Sequence, residues 1–214
     1  MRRIALALFV ALAAPLFMGA GQPAPQRHLD LSEADRSALD AISAYLNGFA
    51  TVKGGFVQID PDGRTTEGTF YISKPGKMRF EYKPPSPTLI VADGHTVAVA
   101  NRRLNTVDHY SLSDTPLNVI LGDKIDIRHN PQLVSVQHQQ GMIVIGLRTG
   151  QNRSKANILL VFSEPDYELR EWSVIDDQGL TTTVALRGVT PGVTLAPALF
   201  VLPQVDPFTR RRQG

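Results

Sequence analysis

Between Gly68 and Gly94 the chain reads G-T-F-Y-I-S-K-P-G-K-M-R-F-E-Y-K-P-P-S-P-T-L-I-V-A-D-G, and apolar and polar positions alternate along it almost without a break. Side chains of an extended strand point to opposite faces in turn, so Phe70 and Ile72 share one face of a first strand, and Met78, Phe80 and Tyr82 share one face of the next. Lys74-Pro75-Gly76 separates the two as a turn, because Pro fixes φ and Gly tolerates positive φ. The pattern predicts a hairpin with one apolar face. The run Lys83-Pro84-Pro85-Ser86-Pro87 is short of ladder donors and reads as an extended edge or crossing. Leu89-Ile90-Val91 then restarts a strand, which Ala92-Asp93-Gly94-His95 turns.

Upstream the period changes. Ala38, Leu39, Ile42, Tyr45, Leu46 and Phe49 recur at helical spacing, and Ser32-Glu33-Ala34-Asp35 before them resembles a capping box with Leu31 as its staple. The spacing predicts a helix from Ser32 to Phe49 that lays one apolar stripe on its neighbours. Phe56-Val57-Gln58-Ile59 followed by Asp60-Pro61-Asp62-Gly63 is a strand and a turn. Downstream, strands are expected at Thr96 to Ala100, Thr106 to Ser111, Leu133 to Gln137, Met142 to Leu147, Asn157 to Phe162, Leu169 to Ile175 and Leu180 to Leu186. Asp114-Thr115-Pro116 caps a brief helix from Leu117 to Leu121, which Gly122 stops. About ten or eleven strands with short links make an antiparallel meander. Neither a repeat nor a linker divides residues 32–205, which read as one domain.

Charge and composition narrow the function. The 22 Lys and Arg residues include Arg2 and Arg3; without these, basic and acidic residues balance at 20 each. Arg210, Arg211 and Arg212 stand together in a tail over residues 206–214, so the body lacks the clustered positive charge of a nucleic-acid groove. That tail either steers the protein to acidic surfaces or is simply solvated. Met1 to Gly21, with its Met-Arg-Arg start and apolar run from Ile4 to Met18, reads as a secretory signal peptide cut after Ala20 or Gly21. Residues 22–31 form a loose mature N-terminus. The chain has no cysteine, which excludes disulfides, thiolate metal sites, a catalytic thiol and lipid attachment to the chain itself.

Catalytic patterns are missing. The sequence holds no G-x-S-x-G, H-E-x-x-H, G-x-x-x-x-G-K-[ST] or G-x-G-x-x-G motif. His28, His95, His109, His129 and His138 are scattered without ligand spacing, and His109 and Asp108, adjacent in a strand, face opposite ways. Asn152-Arg153-Ser154 is a chance match to a glycosylation sequon. No enzyme activity, metal or cofactor is expected.

The ordered series from Ser32 to Phe200-Val201-Leu202-Pro203 resembles the periplasmic lipoprotein carrier family LolA. It includes the basic residue before Pro-Gly, the aromatic strand, the Pro-rich break, the strand closing on Asp93-Gly94, and Thr115-Pro116-Leu117-Asn118-Val119-Ile120. The resemblance implies a mainly β fold with α elements: an antiparallel, half-open β-barrel under an α-helical lid. It implies a monomeric periplasmic chaperone that binds the acyl chains of lipoproteins. An inner-membrane ABC-type release complex would load it, and an outer-membrane lipoprotein receptor would unload it. The implied acyl cavity comprises Phe56, Phe70, Ile72, Met78, Phe80, Leu89, Val91, Leu117, Ile120, Leu121 and Trp172, and the lid helix presents Leu39, Ile42, Leu46 and Phe49. Met78 falls where the family contacts its release complex. Lys74 stands where the family more often has an Arg that latches the lid, and Lys lacks the planar multi-donor fork.

Such a role is physically coherent. Each buried methylene is worth about 0.8 kcal/mol, so a sixteen-carbon chain exposed to water costs on the order of 12 kcal/mol. A carrier must offer an apolar surface that is covered when empty and uncovered when loaded. Periodicity finds buried faces but does not separate a cavity from a packed core. A carrier or sensor for another amphiphile, such as a glycolipid, fits the same pattern.

Overall fold

A computed structural model of the protein describes residues 29–115, 118–148, 157–176 and 178–205. The expected signal peptide, the arginine tail, the Asn152 sequon and the cavity candidate Leu117 lie outside these residues. Helix α1 (Glu33–Asn47) opens the fold, followed by strands β1 (Thr51–Ile59), β2 (Thr65–Ser73), β3 (Lys77–Tyr82), β4 (Thr88–Asp93), β5 (Thr96–Asn101) and β6 (Thr106–Ser111). After the short helix α2 (Asn118–Leu121) come β7 (Leu133–Gln139), β8 (Met142–Leu147), β9 (Ile158–Ser163), β10 (Leu169–Ile175) and β11 (Thr181–Pro191).

All eleven strands form one sheet in the order β6-β5-β4-β3-β2-β1-β11-β10-β9-β8-β7. Each half is the expected meander. Between them lies a seam that the local pattern does not announce: β1 pairs antiparallel with β11, from Val52 opposite Pro191 to Ile59 opposite Thr183. The edge strands β6 and β7 stand at opposite ends of the order and do not pair, so the barrel is incomplete. The segment joining them carries α2, which therefore passes across the gap.

The concave face holds the main core. On its β1–β3 side the rings of Phe56, Phe70, Phe80 and Tyr82 meet, with Phe56 and Phe80 centroids 5.1 Å apart, Phe56 and Tyr82 4.9 Å, and Phe70 and Phe80 5.7 Å. Trp172 of β10 stands edge-on to Phe80 at 5.8 Å. The β8–β9 side is largely aliphatic, with Ile143, Ile145, Leu147, Ile158 and Leu160 buried beside Phe162. Two glycines make room for the rings. Phe56 lies opposite Gly68, and Phe70 opposite Gly54, across the β1–β2 ladder. A Cβ on Gly68 would stand 2.6 Å from the Phe56 ring and 2.3 Å from the Glu81 carbonyl oxygen, and one on Gly54 would stand 2.6 Å from the Phe70 ring. Glycine inside a strand here marks a ring lying against the backbone.

One expectation is overturned. Leu89 and Val91 do not line the interior; with Ala100 they form a separate buried cluster on the outer face, against Val107 and Leu202. The register explains it, because Phe80 lies opposite Ile90 and Met78 opposite Ala92, while Leu89 and Val91 face Glu81 and Arg79. β4 is apolar on both faces, so alternation alone could not choose its inward side. The C-terminal stretch, with a 3-10 turn at Pro197–Phe200, covers the outer patch. There Arg79 Nη1 donates to the Leu199 carbonyl at 3.4 Å.

The glycine contact gives a direct test. Gly68→Ala should destabilise the protein by about 1–3 kcal/mol through overpacking, seen as a lower urea midpoint, whereas Gly55→Ala, whose added Cβ meets nothing closer than 3.7 Å, should be much milder.

Candidate functional site

Helix α1 covers the mouth of the half-barrel. Its capping box forms as expected: Ser32 Oγ accepts from the Asp35 amide at 3.1 Å, and the Asp35 carboxylate accepts from the Ser32 amide at 2.9 Å. The stripe of Ala38, Leu39, Ile42 and Leu46 is buried in the same core as the concave face of the sheet. Phe49, just beyond the helix, packs half-buried on that core and edge-on to Tyr45 at 5.6 Å.

The lid has a second part, which the sequence reading reduced to its short helix. Residues 122–130 run along α1, inserting Ile125 and Ile127 into the core. Asn47 binds the backbone of Ile125 twice, donating to its carbonyl at 2.7 Å and accepting from its amide at 3.0 Å. Ser43 Oγ accepts from the Ile127 amide at 3.0 Å, and Arg128 pairs with Asp40 at 2.8 Å. These bonds join α1 and the crossing segment into one cover. Ile120 and Leu121 of α2 are buried beneath it.

Where this cover meets the β2–β3 turn, two hydrogen bonds hold it. The Gly76 amide donates to the Leu121 carbonyl at 2.9 Å. Lys74 Nζ donates to the carbonyl of Leu46 and lies 4.4 Å above the Phe49 ring. Leu46 is in the last turn of α1, which carries no basic residue of its own, so Lys74 supplies from the sheet the cation that a helix C-terminus favours. Burial pushes the half-buried Lys74 ammonium down to about 8 from the usual 10.5; the carbonyl and ring, which favour the cation, do not offset that desolvation.

Beneath the cover the interior is nearly full. Among the described residues a cavity of about 30 Å³ is bounded by Tyr45, Leu46, Phe49, Val52, Phe70, Ile72, Lys74, Ile120, Leu169, Leu186 and Val189, space for about one or two water molecules. The hollow implied by the resemblance is thus closed in this conformation by the side chains expected to line it. Phe56, Phe70, Met78, Phe80, Ile120, Leu121 and Trp172 are all buried in this one core, and Ile72 packs half-buried against it. Strands β8 and β9 also belong to it; their residues, Met142-Ile143-Val144-Ile145 and Ile158-Leu159-Leu160-Val161-Phe162, are continuous apolar runs, which do not show which face points inward. Within this core Tyr82 Oη donates to Gln58 Oε1 at 2.5 Å, and burial pushes that phenol up to about 12. Among the described residues no three His, Cys, Asp or Glu side chains are grouped to hold a metal.

Fold and site together define a lidded half-barrel with an apolar interior. The chain belongs to the family of the outer membrane lipoprotein carrier protein LolA, whose model matches residues 47–203. Membership brings the general role of a periplasmic lipoprotein or lipid carrier. An outer-membrane lipoprotein carrier protein of Methylococcus capsulatus is 26% identical over 178 residues, covering 79% of this chain and 85% of its own. One from Dechloromonas aromatica is 28% identical over 177 residues, covering 78% and 84%. The crystal structure of a LolA superfamily protein from Nitrosomonas europaea is 12% identical, with a TM-score of 0.41 over 76% of this chain and 97% of its own.

The lysine makes a pH prediction. The folded protein sheds the Lys74 proton above about 8, while the unfolded chain holds it to about 10.4. Between these values the unfolded state carries more protons, so stability rises with pH across that window and is flat below it. Urea denaturation of the unaltered protein relative to Lys74→Met should show this rise between about pH 8 and 10.5; parallel curves would remove the assignment.

Proposed function

We propose that this protein is a periplasmic carrier that encloses the acyl chains of lipoproteins. It takes them from an inner-membrane ABC-type release complex and yields them to an outer-membrane receptor. The observation that carries this reading is the disproportion between the interior and its fastening. A continuous apolar face is covered by a preassembled lid, and toward the β2–β3 turn that lid is held by Lys74 and by one backbone bond. Burying an acyl chain is worth about 0.8 kcal/mol per methylene, so an entering chain replaces lid contacts with contacts of the same kind. The exchange is close to balanced and therefore reversible, as a carrier between two membranes requires.

Lys74 is the latch of the closed form in this reading. A lysine makes this latch with a single donor to one carbonyl, where an arginine fork reaches several acceptors. Lys74→Leu should load normally yet release to acceptor membranes several-fold more slowly, because the loaded form loses its competitor. Unchanged transfer rates would remove Lys74 from that role.

The ligand class is tested by a photo-crosslinking amino acid at Phe49, which borders the interior from the lid side and is half-exposed enough to replace without emptying the core. Crosslinking in cells followed by mass analysis should yield acylated protein adducts. Small-molecule lipid adducts alone would instead assign the carrier to another amphiphile.

A further inference from the structure

The lid is fastened at its other end too, and by different chemistry. Helix α1 has 15 residues, about 22 Å of length, and lies across the mouth with Leu46 toward the β2–β3 turn. Its first turn reaches the opposite half of the sheet. Asp35 Oδ2 is engaged within the capping box, by the Ser32 amide at 2.9 Å and the Ser32 hydroxyl at 2.7 Å. Its other oxygen, Oδ1, stands 3.1 Å from Nε2 of His138 near the end of β7. The Nδ1 of the same ring lies 3.0 Å from Glu164 Oε1, in the turn between β9 and β10. Carboxylates only accept hydrogen bonds, so both ring nitrogens must donate, which only the imidazolium can do.

We propose that His138 is a second lid-positioning residue, a protonation-dependent clasp that ties the N-terminal end of α1 to the β7 edge while Lys74 ties the C-terminal end to the β2–β3 turn. The proposal rests on the carrier reading for its purpose, since it concerns how the cover over that interior is released. A neutral ring donates from one nitrogen alone and leaves one carboxylate facing a lone pair. The charged groups turned toward His138 are Asp35 from α1 and Glu164 from the β9–β10 turn; from β8 its ladder partner is the uncharged Ile143. Desolvation works against the imidazolium, but the bonds and charges of both carboxylates outweigh it and hold the proton above the ordinary histidine value. The clasp is therefore whole below about pH 6.5 and is lost as pH rises through the raised value. It opposes Lys74 in sign, because deprotonation loosens this end and relieves a burial cost at the other. Its side chains are partly exposed, His138 at 40%, so added salt weakens it as well.

Hydrogen exchange of the α1 amides in the full chain, corrected for intrinsic rates, tests this at about pH 5.5 and about pH 7.5. In the unaltered protein α1 should open several-fold more often at the higher pH. His138→Gln should open at that higher level at both values, and His138→Arg, which keeps its charge and reaches both carboxylates, should stay protected at both. Equal protection of the unaltered and His138→Gln proteins at the lower pH, or a pH dependence that survives in His138→Gln, would overturn the clasp. If His138→Gln proves too unstable, His138→Arg decides alone, since it must remain protected at the higher pH. The same proteins mixed with dansylaminoundecanoic acid separate the two readings. Uptake that follows α1 opening supports both, and the expected exchange pattern with no entry of the acyl probe keeps the clasp and removes the carrier.

Discussion

A sheet that does not close leaves an apolar concave face that something else must cover, and this constraint organises the rest of the molecule. Edges β6 and β7 remain apart, so the segment between them crosses the gap, and α1 lies beside it. Burial of Leu39, Ile42, Leu46, Ile125 and Ile127 drives the covering; hydrogen bonds decide its position. Asn47 and Ser43 bind the two pieces of the cover to each other, whereas Lys74, the Gly76 amide and His138 bind the cover to the sheet. The two pieces of the cover are thus bound to each other as well as to the sheet.

The interior follows from the same constraint. With the cover on, the rings around Phe80 pack against one another, and a cavity of about 30 Å³ lies between Phe70 and the cover. Packed interiors do not deform continuously, so in the carrier role proposed above a chain could enter only if the cover were displaced and rings changed rotamer together. The glycines opposite Phe56 and Phe70 matter here. They let those rings lie against the strands.

Much of this was legible in the residues. The helix came from its capping box and 3.6-residue stripe, the hairpin from Lys74-Pro75-Gly76 between alternating strands, and the outer strands from short runs between turn residues. Lys74 is singled out by resemblance alone, and its bond goes to the carbonyl of Leu46 in the last turn of α1. Three features were not legible, each for a physical reason. The inward face of β4 depends on register, and four apolar residues in a row from Leu89 to Ala92 carry no information about it. The filled interior depends on volumes in three dimensions, which periodicity does not measure. His138 looked isolated because its two carboxylate partners lie 103 and 26 residues away in the chain.

The seam between β1 and β11 carries a temporal consequence. Each half-sheet is built from neighbours in the chain, but Val52 finds its partner only at Pro191. The patch of Leu89 and Val91 likewise waits for Leu202. A polypeptide that threads through a narrow translocation pore from its N-terminus therefore cannot complete this domain partway, because the strand that joins the halves and the strap that seals the back both emerge last. The two halves lock together only once residues near Pro191 and Leu202 are available.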